Sequence, residues 1–297
     1  MRSRIALSVA SLGLLVSLAM PSAAQQVVRF ETTVGSFDMV INPTNNPVLT
    51  DYANNFLAYV DNNNYLGSWI NRAAKNQDGS GFVLQMGGFF SATKRPSPTI
   101  DSVQNVFTFD PVAGQPAAEN GLSNTVGTVA LALPGDGQGG TNQDAGTSSF
   151  FVNLADNSFL DTDFTVFAAI SDMSTINKIM ALNTVDRTSD ADFGAGSGNL
   201  AFSDVPVTAE GLQVFIKRAY RINDTLAVAK ALSAVEPLMA SSLAAGESSS
   251  LLSSSGGSGL LSAAADAGLG STVVPEPASA ALLLIGAISF MSARRGR

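Results

Sequence analysis

The sequence of 297 residues contains no cysteine and no histidine. Structural disulfides and zinc sites built from Cys and His are therefore excluded, because their ligands are missing. A serine or cysteine hydrolase with a histidine base is excluded in its ordinary form for the same reason. Any catalysis by this chain must work without an imidazole or a thiol.

Charged residues are also scarce, at 13% of the chain, and this low content excludes a disordered or coiled-coil protein. Acidic residues outnumber basic ones by 24 to 16, which gives a formal net charge of −8. Because negative charge repels phosphate backbones, we expect no nucleic-acid partner. Hydrophobic residues make up 45% of the chain, which is compatible with one sizeable core.

The amino-terminal residues 1–24 have the order of a secretory signal peptide. Arg2 and Arg4 precede an apolar run over residues 5–20, and the small residues Ser22, Ala23 and Ala24 follow. This order predicts cleavage after Ala24. An uncleaved membrane anchor is the alternative, but the apolar run is shorter than the ~20 residues that a spanning helix prefers.

The carboxy-terminal part divides into two further segments. Residues 225–272 are rich in Ser, Gly and Ala, which predicts a flexible linker, with an Ala/Leu-rich helix over 225–245 as the alternative. Within residues 273–297, an apolar stretch over 278–293 precedes terminal arginines, as in a stop-transfer element with its basic end in the cytoplasm. The folding domain is therefore expected over residues 25–224.

Strand patterns dominate this domain. Alternation around Gly35 predicts a β-hairpin over residues 27–41, and the helical spacing of Tyr52, Phe56 and Tyr59 predicts a helix over 47–60. Further strands are predicted over residues 82–86, 127–133, 150–154, 164–170 and 212–221, with a second helix over 174–182. Many strands with only two helices favour a closed barrel that is capped by helices.

Three ordered blocks carry a family resemblance. Residues 55–89 read NFLAYVDNNNYLGSWINRAAKNQDGSGFVLQMGGF, residues 119–133 read ENGLSNTVGTVALAL, and residues 148–167 read SSFFVNLADNSFLDTDFTVF. In this order the blocks resemble the cyclophilins, a family of peptidyl-prolyl cis-trans isomerases. The matching elements of the first block are Asn55-Phe56, Tyr65-x-Gly67, Arg72, Gly81-Phe82, Gln85 and Gly87. The resemblance implies a mainly β fold, a closed eight-stranded antiparallel barrel capped by two helices.

The resemblance also implies an activity and a site. Isomerisation of an X-Pro bond rotates an amide and breaks no bond between heavy atoms, so it needs neither a nucleophile nor a metal nor a cofactor. Arg72 would be the catalytic hydrogen-bond donor to the twisted amide of a proline-containing polypeptide. Gln85 would contact the substrate backbone and orient Arg72, and Ala132 would make backbone contacts to the substrate. The implied apolar wall of the proline pocket consists of Phe82, Leu131, Phe151 and Phe159.

Several residues depart from the family pattern. Ser149 stands where the family usually has Gln, Phe164 where it often has His, and Asn71 where a His usually precedes the arginine. The segment between Arg72 and Phe82 is also longer than usual, so we expect the arginine on a mobile loop. These departures leave open a non-catalytic cyclophilin-fold binding module or a purely structural surface protein.

The order of the last residues resembles a second known signal. Pro275-Glu276-Pro277, the apolar stretch and the final arginines are similar to the PEP-CTERM sorting tail. The resemblance implies cleavage by an exosortase after signal peptidase has acted at the other end, with a permanent anchor as the alternative. It also implies an exported protein of a Gram-negative-type bacterium, first periplasmic and then at the cell surface or extracellular. Membrane contact is expected only through the terminal segments.

Overall fold

The computed structural model describes residues 25–91, 103–114, 117–135, 140–188 and 200–254. Strands form the body of the chain, and helices lie around it. In chain order the elements are β1 (Gln26–Thr32), β2 (Ser36–Ile41), α1 (Thr50–Asp61), β3 (Ser68–Lys75), β4 (Gly81–Ser91), β5 (Val103–Asn105), α2 (Ala117–Asn120), β6 (Thr128–Leu131), β7 (Phe150–Asn153), β8 (Val166–Ile170), α3 (Ser174–Met180), β9 (Asn183–Val185), β10 (Val205–Val207), β11 (Ile216–Arg221) and α4 (Thr225–Ser254).

Eight of the strands form a closed antiparallel barrel. Their order is β11-β1-β2-β8-β6-β7-β4-β3, and each pairing along it is antiparallel. The first and last strands meet through a bridge between Trp69 and Phe215 and through a hydrogen bond from Gly67 N to Ile216 O at 2.9 Å. Strand β5 adds to β4, and β9 and β10 form a separate hairpin. The eight-stranded barrel expected from the sequence is confirmed.

Aromatic rings fill the barrel. Phe30 stacks on Phe37 with their ring centroids 5.1 Å apart, and Phe150 approaches Phe30, Phe56 and Tyr65 at 5.6–5.8 Å. Rings at these separations stabilise a core beyond the area that they bury. Because successive side chains of a strand point to opposite faces, the inward direction of Phe150 places Phe151 on the outer face.

Two helices lie at opposite ends of the barrel, as expected. Helix α1 comes after β2 in the chain, and its Tyr52 hydroxyl donates to Thr165 Oγ1 at 3.1 Å, just before β8. Helix α3 lies at the other end, where Thr175 Oγ1 donates to Ser36 O at 2.7 Å beside the turn between β1 and β2. The side chains of Ile176 and Ile179 in α3 are fully buried.

The long helix α4 occupies part of the segment predicted as a linker. Asp224 Oδ1 accepts hydrogen bonds from Leu226 N and Ala227 N, so its side chain caps α4. The helical alternative for residues 225–245 is therefore correct and extends to Ser254, whereas 255–272 lie outside the described residues. The residues of α4 that pack on the rest of the chain recur at helical spacing, as at Ala231, Val235, Met239 and Ser242.

Among the described helices, α4 alone is long and apolar enough to cross a membrane. Within Thr225–Glu247, an 18-residue stretch has a mean hydropathy of 1.3, and 22% of that stretch is buried inside the structure. Length and hydropathy are weak grounds for a span, since helices of soluble proteins pass the same test. The predicted signal peptide and the apolar stretch 278–293 lie outside the described residues.

Strand β3 corrects the expectation that Arg72 lies on a mobile loop. Arg72 is inside β3, and the added residues form a compact turn afterwards, in which Asn76 N donates to Ser80 O at 2.8 Å. The sequence did not predict β3 because seven of its eight residues are buried, so the polar–apolar alternation of a half-exposed strand is missing. Residues of the 200–207 segment cover its outer face.

Candidate active site

A row of side chains crosses the outer face of the barrel. Arg72 lies opposite Gln85 in the β3–β4 ladder, and Gln85 lies opposite Phe151 in the β4–β7 ladder. Residues that are directly opposite in an antiparallel pair share one face. Since Phe150 points inward, Phe151, Gln85 and Arg72 stand side by side on the outer face.

Arg72 is nearly enclosed there, with 3% of the residue exposed. Its Nε lies 3.7 Å from Oδ2 of Asp204, whose side chain is 38% exposed. Burial lowers the pKa of Arg72, and the nearby negative charge of Asp204 acts in the opposite direction. A guanidinium stays protonated under such conditions, so the site holds a fixed positive charge.

Two aromatic pairs contain the aromatic residues of the predicted pocket. Phe82 stacks on Phe159 with their centroids 6.1 Å apart and an interplanar angle of 8°. Phe151 meets Phe164 edge to face at 5.5 Å. Phe82, Phe151 and Phe164 are buried, whereas Phe159 remains 41% exposed. Phe164, which stands where the family often has His, therefore adds an apolar ring next to Phe151.

Gln85 contacts the residue that departs from the family pattern. Its Nε2 lies 3.4 Å from Ser149 Oγ, which in turn lies 3.4 Å from Met86 O. Both hydrogen bonds are long for their type. Ser149 therefore stands beside Gln85 and is its hydrogen-bond partner on this face.

A groove of about 500 Å³ opens beside Gln85. Gln85, Ala132 and Ser149 belong to the barrel wall of the groove, and residues 105–111 form the facing wall. Ala132 N donates to Ser149 O at 2.8 Å, so this amide is used within the barrel. Its carbonyl group is the backbone acceptor of Ala132 that a substrate could meet.

Leu131 lies on the inner face, apart from the row. It is opposite Phe150 in the β6–β7 ladder, so both side chains point inward. A Cβ added at Gly146 would collide with the Leu131 side chain, which shows that the chain at Gly146 closes over this leucine. Leu131 therefore supports the wall from inside the barrel, whereas Phe151 lies on the outer face.

A buried carboxylate holds the loop that carries Phe159. Oδ1 of Asp161 accepts hydrogen bonds from Asn124 N at 2.7 Å and Asn124 Nδ2 at 3.0 Å, and Oδ2 accepts from Ser123 Oγ. Asp161 is 4% exposed. Hydrogen bonds to an ionised group are the strong ones, so this network fixes the loop against the barrel.

Sequence reasoning missed Asp204 and the facing wall of the groove. Asp204 is 132 positions from Arg72 in the chain, and no spacing in the sequence links the two residues. Its only signal is an acidic residue inside the otherwise apolar run AFSDVPV. In the described part of the chain, no three His, Cys, Asp or Glu side chains gather as a metal site would need.

Comparisons with known proteins identify the family of this chain. The profile of the family "Cyclophilin type peptidyl-prolyl cis-trans isomerase/CLD" matches residues 27–193. A peptidyl-prolyl cis-trans isomerase of Acinetobacter baylyi is 33% identical over 178 residues, which cover 58% of this chain and 80% of that protein. The peptidyl-prolyl cis-trans isomerase B of Escherichia coli is 29% identical over 167 residues, covering 53% of this chain and 86% of that protein.

A solved structure gives a weaker match. The cyclophilin-type isomerase of Cryptosporidium parvum, crystallised in the presence of the dipeptide Ala-Pro, aligns at a TM-score of 0.46 and 15% identity. The alignment covers 67% of this chain and all of that one. The family profile and the curated relatives are sufficient for the assignment: this chain belongs to the cyclophilin-type peptidyl-prolyl cis-trans isomerases.

Proposed function

We propose that this chain isomerises X-Pro bonds of exported polypeptides. Arg72 would be the donor to the twisted amide, and the proline pocket would contain the aromatic residues Phe82, Phe151 and Phe159. The observation that carries the proposal is the ladder register, which aligns Arg72, Gln85 and Phe151 on one outer face. Phe82 and Phe159 stack on each other and would add apolar surface to the pocket.

The chemistry needs only differential binding. Rotation about an X-Pro bond crosses a barrier of about 18–20 kcal/mol because it breaks amide resonance. When the amide is twisted, the prolyl nitrogen regains a lone pair that can accept a hydrogen bond. A donor that meets this lone pair binds the twisted state better than either planar state, and the rate increases.

The surroundings of Arg72 suit this role. With 3% of the residue exposed, little water competes with a hydrogen bond from the guanidinium. Fixed donors in a water-poor site are worth more than the same donors in bulk water, because nothing has to reorganise during the reaction. The proline ring would rest on the aromatic surface while Gln85 contacts the neighbouring backbone.

The test is an isomerisation assay on a proline peptide with the full chain and an Arg72→Ala variant. Loss of one preorganised donor is expected to lower kcat/KM by at least about 100-fold. Arg218→Ala is the matched control, since Arg218 is an exposed arginine that pairs with Glu31 through two hydrogen bonds of 2.9 and 3.0 Å. A folded Arg72→Ala protein with the wild-type rate would falsify the catalytic role.

A non-catalytic binding module is the second candidate, and the departures of Ser149 and Phe164 from the family pattern favour it. Such a module would bind proline peptides without accelerating isomerisation. The two candidates separate when binding is measured by titration calorimetry and the rate by the same assay. A measurable Kd together with an uncatalysed rate would support the binding module.

The proposal includes export, which rests on residues 1–24 and 273–297. Signal peptidase would cleave after Ala24, and an exosortase would remove the segment after the linker. The mature protein would then be released from the membrane and act on exported proteins. Mass spectrometry of the protein from its native host measures both ends, and an intact amino terminus or tail would contradict the corresponding cleavage.

A further inference from the structure

We propose that Asp204 is a positioning residue for Arg72, an inference that rests on the proposed function. Asp204 lies beyond residues 27–193, the region that matches the family profile. It nevertheless contributes the carboxylate that meets the Arg72 guanidinium at 3.7 Å. A segment of the chain outside the family match would therefore complete the site.

The 200–207 segment is docked firmly on the barrel. The Phe202 ring stacks on Trp69 with centroids 5.7 Å apart and meets Phe89 edge to face at 4.8 Å. These rings belong to a second hydrophobic cluster outside the barrel, separate from the main core. Phe202 thus anchors the segment two residues before Asp204.

Backbone hydrogen bonds fix the segment along β3. Ala73 N donates to Asp204 O at 2.8 Å, next to Arg72 in the strand. One residue on the other side, Asn71 Nδ2 donates to Ala201 O at 2.9 Å. The Asp204 carboxylate is itself oriented, because Ser203 Oγ donates to its Oδ2 at 2.6 Å. The position of the carboxylate is therefore set by neighbours that do not depend on Arg72.

A charged arginine with 3% exposure needs a counter-charge close to it. Burial of an ion is strongly unfavourable unless an opposite charge and hydrogen bonds compensate for the lost water. The closest approach of Asp204 is to Nε, at the stem of the guanidinium rather than at its terminal amino groups. The carboxylate can thus hold the Arg72 side chain in place beside Gln85.

Without the carboxylate, the guanidinium would lose part of what holds it in this buried position. Small misplacements of a catalytic group cost large factors in rate, whereas peptide binding depends mainly on the apolar wall. Asp204→Asn keeps the size of the side chain and the backbone bond to Ala73 but removes the charge. We expect kcat to fall by about 10- to 100-fold while KM changes by less than about twofold.

The experiment measures kcat and KM for a proline peptide with the full chain, Asp204→Asn, Asp204→Glu and a matched control. Asp186→Asn is that control, because Asp186 directly follows β9, which pairs with β10 next to Asp204, and its Oδ1 accepts from Thr188 N and Oγ1. Asp204→Glu restores the charge and is expected to recover part of the rate. Circular dichroism and thermal unfolding confirm that each variant is folded.

The Arg72→Ala background separates positioning from a general structural role. If Asp204 acts through Arg72, Asp204→Asn has no further effect on the residual rate of Arg72→Ala. An equal loss in both backgrounds overturns the proposal, and so does a wild-type or increased kcat for Asp204→Asn. When Arg72→Ala itself keeps the wild-type rate, the proposed function has failed, whereas a slow Arg72→Ala beside a fast Asp204→Asn contradicts the role of Asp204 alone.

Discussion

Phe150 and Phe151 are neighbours in β7, but they belong to different parts of the molecule. Phe150 packs among the rings of Phe30, Phe56 and Tyr65 inside the barrel, and Phe151 meets Phe164 on the outer face. Both residues are fully buried. Burial therefore does not separate core from site here, whereas the ladder register and the identity of the contacting residues do.

The largest expected effect is on stability, from replacement of the inner ring. Phe150→Ala should lower the free energy of unfolding by about 3–5 kcal/mol, because it leaves a cavity among three aromatic partners. Phe151→Ala should cost less stability but should lower kcat/KM per folded molecule. Denaturant unfolding and the isomerisation assay measure the two quantities.

The comparison fails if the two variants behave alike. Equal losses of unfolding free energy together with equal rates per folded molecule would mean that β7 does not divide into a core face and a site face. Phe37→Ala is a useful reference, since this buried ring stacks on Phe30 inside the barrel and does not line the groove beside Gln85.

The inner face was predictable from the sequence, and the outer face was only partly so. Alternation located the β1–β2 hairpin, and the family blocks placed Arg72, Gln85 and Phe151 in the order that the ladders use. Strand β3 was missed because both of its faces are buried. A pattern that depends on one exposed face cannot reveal a strand that a distant segment covers.

The contacts of Arg72 were beyond sequence reasoning for a related reason. Asp204 reaches Arg72 only because Phe202 docks between Trp69 and Phe89, a long-range packing event. The α4 helix shows the opposite case, in which composition alone favoured a linker. Tertiary packing of its buried positions, together with the cap from Asp224, accounts for a helix that composition did not require.

The second prediction concerns the loop that carries Phe159. Asp161→Ala removes the acceptor of three hydrogen bonds and leaves Ser123 and Asn124 with buried, unsatisfied donors. We expect a loss of about 2–3 kcal/mol in unfolding free energy. Asp163→Ala is the matched control on the same loop, because Asp163 Oδ1 accepts a hydrogen bond from Gln143 Nε2 at 3.2 Å. A similar loss in both variants would show that the network does not hold the loop.

A smaller effect is expected at the start of α4. Asp224→Ala removes the cap that receives hydrogen bonds from Leu226 N and Ala227 N, and should cost about 1 kcal/mol of stability. The helix packs on the barrel away from Arg72, so kcat/KM should stay unchanged. Asn223→Ala, at the exposed preceding residue, controls for changes to the connecting chain. A loss of activity in folded Asp224→Ala protein would mean that α4 is coupled to the site.

The smallest expected effect is that of pH on kcat/KM and on stability. The chain has no His and no Cys, so apart from its amino terminus no group with an ordinary pKa between about 5 and 8 is present. On the inner face, burial raises the pKa of Tyr65 well above its ordinary value, so its hydroxyl stays neutral, and its contribution to stability is lost only as pH rises above about 10. On the outer face, burial lowers the pKa of Arg72, but a guanidinium starts so high that it stays charged through the neutral range. We therefore expect kcat/KM to vary by less than about twofold between about pH 6 and 8, and a bell-shaped profile in this interval would show that a group outside the row of Arg72, Gln85 and Phe151 takes part in the reaction.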